Sequence, residues 1–232
     1  MSRGAWWWSA CICAAAFFLF GAFPFYNIDA YGHLAQGRQI AELGRIPTLD
    51  LFSFWKATPQ PWSNYEWGYD LGTWLIYDRF GPNALIAIKC LLLAALGYLL
   101  VVLGRRLAQG ASLAAPLAAT VLILFAPLAR LRFTVRPQIV GLVLPAVLLV
   151  GISTLYSARA SARAKLPIIA ALGLMQVLWV NLHGSHLLGL LITVLFLGFS
   201  IRTAAFAPML GLLGVQLAAT ACTPFGLDIA TD

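Results

Sequence analysis

Asp29 and His33 are the residues whose types and spacing point most directly to chemistry. They are four residues apart, so on a helix they share one face. They follow the first apolar run of the chain, at the level where lipid meets water, and a carboxylate there can act as a general base or bind a divalent metal such as Mg²⁺ or Mn²⁺. The structural alternative is that Asp29 is the N-cap of a helix.

Two further polar groups are candidates for the same site. Glu66 ends the segment Ser63-Asn-Tyr-Glu66, and it either lines a binding site or completes a capping box at the start of a helix. His183 and His186 flank a very short segment between two apolar runs. They either titrate or bind metal, or they form a polar turn between two helices.

A basic segment supplies a third group of candidates, since Arg130, Arg132 and Arg136 lie within seven residues of one another near a predicted membrane boundary. The planar guanidinium group matches the geometry of phosphate. We therefore expect these side chains to bind either lipid headgroups or the phosphate of a substrate.

The composition indicates the solvent in which these residues must be positioned. Hydrophobic residues make up 61% of the 232-residue chain and charged residues 10%, against about 45–50% and about 25% in soluble domains. Long apolar stretches recur along the whole chain, so we predict an all-α, polytopic transmembrane bundle forming a single module over residues 1–232. Membrane lipids are the expected partners. Nucleic acid is not, because the net charge of +7 forms no basic face with interleaved aromatic residues.

The four cysteines lie in or beside apolar segments and are interpreted as small core residues, because the Cys11-x-Cys13 pair lacks a second ligand pair for zinc.

Seven apolar segments are candidates for membrane spans, since about 20 apolar residues cross a bilayer as a helix. The predicted spans are Trp6–Phe25, Pro82–Leu103, Ser112–Leu128, Ile139–Tyr156, Pro167–Leu182, His183–Ile201 and Thr203–Thr223. The first is interpreted as an uncleaved signal-anchor, because it is long and no small-residue cleavage site follows it. Pro82, Pro137 and Pro167 are expected at helix starts, and Pro145 is expected to bend its span.

The charges predict an orientation for these spans. If the N-terminus is cytoplasmic, all charged residues of the inner segments are basic. They are Arg3, Arg105, Arg106, Arg159, Arg163, Lys165 and Arg202. All eight carboxylates then fall outside, at Asp29, Glu42, Asp50, Glu66, Asp70, Asp78, Asp228 and Asp232. Because basic residues concentrate in short cytoplasmic loops, we predict a cytoplasmic N-terminus and an outer C-terminus.

One loop is much longer than the others, the first outer loop over residues 26–81. We predict two amphipathic helices in it, Asp29–Leu43 with Gly44 as its stop signal and Ser63–Phe80, joined by an extended connector at 45–55. Its tryptophans and tyrosines are typical of the membrane interface, so both helices are expected to lie along the outer membrane surface.

The order of several motifs resembles that of a known family. The loop contains Asp29-Ala-Tyr-Gly-His33 and later Trp62-Ser-Asn-Tyr-Glu66-Trp67, and further along the chain come Arg136-Pro-Gln138 and Trp179-Val-Asn181-Leu-His183-Gly184. Together these segments resemble the bacterial polytopic membrane proteins related to C-type (GT-C) glycosyltransferases, the group of the protein O-mannosyltransferases and lipid A aminoarabinose transferases. The resemblance covers almost the whole chain and implies a shared module of seven N-terminal spans.

The resemblance also implies an activity, the transfer of a sugar from a polyprenyl-phosphate carrier on the outer face of the bacterial inner membrane. Asp29 matches the acidic residue that such enzymes use as base or metal ligand. On this interpretation Arg130, Arg132 or Arg136 holds the donor phosphate. Three further residues would shape the substrate site: His33, Glu66 and His183.

The alternative function is a non-catalytic integral subunit of a larger membrane assembly that retains the same fold. Ile28 and Ala30 flank Asp29 where many of the resembling enzymes have a second acidic residue, and those enzymes usually continue beyond the segment 223–227, so the chain is expected to be a truncated or shortened relative. The aromatic-rich outer loop would then bind a membrane protein partner. Transport has less support, because no predicted span carries an acidic residue near its middle.

Overall fold

The computed structural model describes residues 3–24, 27–50, 52, 58, 60–108, 113–157 and 161–226. Within these residues the regular secondary structure is helical, which confirms the all-α class, and Leu49 and Pro61 form an isolated bridge. The helices are α1 Arg3–Gly21, α2 Ile28–Leu43, α3 Trp67–Phe80, α4 Pro82–Leu107, α5 Ala114–Phe125, α6 Gln138–Leu155, α7 Ala162–Leu182, α8 His186–Ser200 and α9 Phe206–Thr220, with a 3-10 segment Ala126–Arg132 after α5.

Four segments are long and apolar enough to cross a membrane, as expected of a membrane protein. They are Pro82–Leu107, Ala114–Arg132, Gln138–Leu155 and Arg163–Leu182, and they correspond to the second to fifth predicted spans. The first, sixth and seventh predicted spans correspond to the shorter apolar helices Trp6–Gly21, His186–Ser200 and Phe206–Thr220. Helices of 15 residues extend only about 22 Å, against a hydrocarbon core of about 30 Å. The count of seven therefore stays a prediction.

Two proline residues place helix boundaries differently from the predictions. The third predicted span ends as α-helix at Phe125 and continues as 3-10 helix, because Pro127 has no amide hydrogen with which to extend the α-helical ladder. Pro167 does not start α7 but lies inside it, since the helix begins at Ala162 with the Ser161 hydroxyl as its cap. Pro82 is the first residue of α4, as predicted.

Among the described residues, the two larger apolar cores lie between the longer helices of the bundle. One joins α1, α4, α5 and α6 around Phe17 and Leu93, and the other joins α6 to α9 around Trp179 and Met209. Close approach of helices depends on small residues, as is common in membrane bundles. A Cβ added at Gly97 of α4 would lie 3.0 Å from the Cys13 carbonyl oxygen of α1.

The two helices predicted in the long loop are both present, although one begins later than expected. α2 ends where Gly44 adopts a left-handed conformation with φ 63° and its amide bonds to the Ile40 carbonyl, which confirms the predicted stop signal. α3 begins at Trp67 rather than Ser63, and no side chain caps it. The predicted capping box is therefore wrong, because the Asn64 side chain instead accepts the amide hydrogen of Glu66.

The connector between these helices is paired with itself in its described part. The Asp50 amide donates to the Gln60 carbonyl at 2.8 Å, and the Trp62 amide donates to the Thr48 carbonyl at 2.9 Å. The start of the predicted extended segment 45–55 thus runs antiparallel to residues 60–62. Residues 51 and 53–55 of that prediction lie outside the described residues.

Candidate functional site

α2 and α3 touch at a backbone contact that only glycine permits. A Cβ at Gly37 of α2 would lie 2.0 Å from the carbonyl oxygen of Asp70 in α3 and 2.7 Å from the Cβ of Trp74. Such distances are far inside van der Waals contact, so a side chain at position 37 would push the helices apart. The contact sets the His33 face of α2 against the buried side of α3.

This contact joins His33 to Asp70, a residue that the sequence did not single out. The Nδ1 atom of His33 lies 2.7 Å from Oδ1 of Asp70, whose side chain is 1% exposed. The second carboxylate oxygen accepts a hydrogen bond of 2.7 Å from the Asn64 amide, which also lies 2.9 Å from the Gln36 side-chain oxygen. Asp70 thus has a partner for each oxygen, as a buried carboxylate requires. Its spacing of four residues from Glu66 was the sequence signal that could have found it.

A second close contact connects α3 to α7. Trp67 donates from Nε1 to the Asn181 side-chain oxygen at 2.9 Å, and a Cβ at Gly68 would lie 2.7 Å from the Asn181 carbonyl oxygen. This contact brings Glu66 to the turn after α7, where its Oε1 lies 3.6 Å from Nε2 of His183. The structure therefore brings two predicted site residues, Glu66 and His183, together.

The surroundings of His183 fix the position of its proton. The Ser185 amide donates to Nδ1 of His183 at 2.9 Å, and the Ser185 hydroxyl accepts from Trp179 at 3.0 Å. Because Nδ1 is an acceptor, the proton of the neutral ring lies on Nε2, facing Glu66. The predicted tight turn between α7 and α8 thus also holds a site residue.

Burial shifts both members of this pair towards their neutral forms. It raises the pKa of the Glu66 carboxyl, a shift that nearby His33 opposes and Asp70 increases. It lowers the pKa of His183, and the neighbouring His186 and His33 lower it further. Desolvation disfavours the charged form of an acid and of a base alike. Burial therefore favours a neutral His183 near neutral pH, with its Nε2–H facing the Glu66 carboxyl group.

Asp29 pairs with Arg136, which lies just before α6. The carboxylate is in direct contact with the guanidinium group, and the two side chains are 52% and 27% exposed. The N-cap of α2 is Asn27, whose side chain accepts the Asp29 amide hydrogen. Asn27 rather than Asp29 is therefore the N-cap. Asp29 still lies in the first turn of α2, where the helix dipole favours a carboxylate, and its side chain contacts a cation.

The other two arginines of the basic segment do not join this pair. Arg130 lies over the Phe23 ring with its guanidinium carbon 5.2 Å from the ring centroid, and both Arg130 and Arg132 are exposed. Lys89 of α4, which the sequence did not single out, approaches the same ring and donates to the Phe23 carbonyl at 3.1 Å. Of the three predicted phosphate-binding arginines, only Arg136 is at the candidate base.

A cavity of about 350 Å³ opens beside the hydrogen-bond network of Asp70, between α2 and the paired connector. Gln36 and Asn64 of the Asp70 network line it, with the exposed rings of Phe52 and Trp62. Amide groups together with aromatic faces suit a small polar ring that has one apolar face.

The predicted metal alternative at Asp29 has little support in the donor geometry. Among the described residues, no group of three or more His, Cys, Asp or Glu side chains is placed to hold a metal ion. The immediate partner of Asp29 is a guanidinium group, which repels a second cation. A divalent metal at Asp29 stays a prediction.

No protein-family model matches the chain, and no curated protein or solved structure shows significant similarity to it. The resemblance to GT-C enzymes thus rests on the sequence motifs and their order.

Proposed function

We propose that the chain is a GT-C-like membrane glycosyltransferase module that uses a polyprenyl-phosphate sugar donor on the outer face of the membrane. The observation that carries the proposal is the contact between Asp29 and Arg136. It places a candidate base against a candidate phosphate ligand, beside the Asp70 and Glu66 networks. An ionisable residue near the hydrocarbon boundary is a functional candidate in a membrane protein.

In the proposed reaction, Arg136 binds the donor phosphate and thereby releases Asp29. The acceptor hydroxyl loses its proton to Asp29, its oxygen forms a bond to the anomeric carbon, and the bond from that carbon to the phosphate oxygen breaks. The electron pair leaves with the phosphate, whose charge Arg136 stabilises. The cavity lined by Gln36 and Trp62 would receive the sugar or the acceptor.

The proposal includes the topology on which this chemistry depends. All seven apolar helices would cross the bacterial inner membrane, with the N-terminus in the cytoplasm and the C-terminus outside. α2 and α3 would lie along the outer surface. The support is that every described carboxylate belongs to residues 29–78, at the end of the bundle that carries α2 and α3.

The decisive experiment compares two carboxylates of the same helix. Asp29→Asn should lower sugar transfer from a polyprenyl-phosphate donor by about 10²–10⁴-fold, the usual contribution of a general base. Glu42→Gln is the matched control, because Glu42 is also on α2 but pairs with Arg38 in the open. Equal activity of both variants in membranes with normal expression would exclude Asp29 as the base.

The second candidate function is a non-catalytic subunit of a membrane assembly. Exposed aromatic side chains on the loop and on α3 favour it, since Trp62 is 48% exposed and Phe80 is 68% exposed, and such side chains anchor protein interfaces. A stoichiometric membrane protein partner that purifies with both wild type and Asp29→Asn, with unchanged phenotype, would support this candidate over the enzyme.

A further inference from the structure

A second cavity, of about 870 Å³, lies at the opposite end of the bundle from α2 and α3. Its walls combine apolar side chains of α4 and α6, such as Val102 and Leu149, with Arg105 and Arg106. α4 has 26 residues and is about 39 Å long from end to end, with α3 before its first turn and Arg105 and Arg106 in its last turn. This region, the Arg106 end, is therefore separate from the candidate active site.

Within the described part of the chain, Arg106 is held in the cavity wall by neutral oxygen atoms only. Its Nη1 atom donates to the Val150 carbonyl at 2.8 Å, and to the hydroxyls of Ser153 and Thr154 at 2.7 Å each. Among the described residues, its Nε and Nη2 atoms have no hydrogen-bond partner. One edge of the guanidinium group is thus fixed by α6, while the other donors remain for a ligand.

Arg105 is fixed beside it by a different contact. Its guanidinium carbon lies 4.3 Å from the centroid of the Trp6 ring on α1. Stacking on an aromatic face holds the guanidinium plane without neutralising its charge. The cavity therefore presents two oriented cations.

Among the residues that the structure describes, no carboxylate lies near these two cations. Residues 79–227 contain neither Asp nor Glu, and neither do residues 1–28. The acidic residues among 29–78 belong to the α2–α3 end, and the described C-terminal segment also reaches that end, where the Cys222 carbonyl accepts from Asn181. The C-terminal ends of α4 and α6 supply only about half a negative charge each. The remaining counter-charge therefore comes from outside the described part of the chain.

We propose that this cavity binds the headgroup of one anionic phospholipid, with its phosphate on Arg105 and Arg106. The apolar walls would contact the part of an acyl chain next to the headgroup. A free anion has no such chain. Basic pockets between membrane helices are suited to anionic headgroups for this reason. The site is independent of the proposed glycosyltransferase chemistry.

The test uses the purified full chain in detergent, titrated with phosphatidylglycerol or with phosphatidylcholine of the same acyl chains. Native mass spectrometry should show one phosphatidylglycerol retained in preference, and the melting temperature should rise with that lipid alone. Arg106→Gln and Arg105→Gln should each weaken retention about fivefold or more. Arg163→Gln is the matched control, because Arg163 lies in the first turn of α7, is exposed and does not line the cavity.

Three outcomes would overturn the proposal. They are equal retention of the two lipids, equal weakening by Arg163→Gln, and a melting shift by inorganic phosphate as large as that by phosphatidylglycerol. The last would indicate a site for free anions. If Arg106→Gln does not fold, Arg105→Gln still decides the question, since Arg105 makes no hydrogen bond to α6 among the described residues.

Discussion

At the α2–α3 end of the bundle, Arg136 and His33 meet carboxylates, whereas at the Arg106 end the two arginines meet neutral oxygen atoms and an aromatic ring. Arg136 contacts Asp29 and His33 contacts Asp70, while Arg106 is bound by a carbonyl and two hydroxyls. The first end is compensated within the chain, and the second depends on its surroundings. Mutations of the buried contacts should therefore affect folding at the first end, and mutations of Arg105 or Arg106 should affect lipid binding at the second.

The largest effect is expected at the backbone contact that assembles the compensated end. In Gly37→Ala the new Cβ would meet the Asp70 carbonyl oxygen at 2.0 Å, so α2 and α3 must separate, at a cost of about 1–3 kcal/mol or more. Thermal unfolding in detergent measures the loss. Gly32→Ala is the control on the same helix, because a Cβ at position 32 meets nothing within 4 Å. This substitution should stabilise α2 slightly, since alanine has the higher helix propensity.

A wild-type melting temperature for Gly37→Ala would show that α2 and α3 do not approach through this glycine. The ordering of His33 against Asp70 would then need another explanation, and the comparison of the two ends would lose its structural basis.

The second effect concerns the buried carboxylate at the centre of the compensated end. Asp70→Asn replaces an acceptor of two hydrogen bonds by an amide that sets a donor against either Asn64 or His33, so we expect a loss of about 1.5–3 kcal/mol in the free energy of unfolding. Asp78→Asn, on the exposed side of the same helix, should stay within about 0.5 kcal/mol. Denaturant titration of both variants tests this, and similar values for the two would contradict it.

The sequence predicted part of what local chemistry determines and missed the contacts that form between helices. The end of α2 at Gly44 could be read from one residue, because a left-handed C-cap requires little context. The His33–Asp70 contact could not, since it depends on Gly37 meeting a backbone on another helix. The candidate Asp29 was identified from its position after the first span, but its pairing with Arg136 joins residues more than a hundred positions apart.

The third effect is a pH dependence at the Glu66–His183 pair. The pKa of His183 is lowered below 6.5 by burial, so as pH falls from about 7.5 towards about 5.5 the unfolded chain takes up a proton that the folded chain does not, and stability declines. The pKa of Glu66 is raised above 4.5, so its contribution has the opposite sign and grows as pH falls.

His183→Gln should therefore lose less stability than wild type on acidification, and Glu66→Gln should lose more. Melting temperatures of the three proteins between about pH 7.5 and about pH 5.5 provide the measurement. If the melting temperatures of the three proteins changed with pH in parallel, neither group would change its pKa on folding. The Glu66–His183 pair would then not contribute to the pH dependence of stability.

The smallest effect is expected for a pair that is compensated but not buried. Arg38 and Glu42 lie 2.7 Å apart on α2, with both side chains 61% exposed, and solvent and salt screen such pairs. The double variant Arg38→Gln, Glu42→Gln should have the melting temperature of wild type at low and at high salt. Because it removes one charge of each sign, it leaves the net charge of the α2–α3 end unchanged. If the double variant destabilised the protein as much as Asp70→Asn does, exposed and buried carboxylates would contribute equally to the stability of the α2–α3 end. If the double variant is as stable as wild type while Asp70→Asn is destabilised, then burial determines how much a charged pair contributes to the stability of the α2–α3 end.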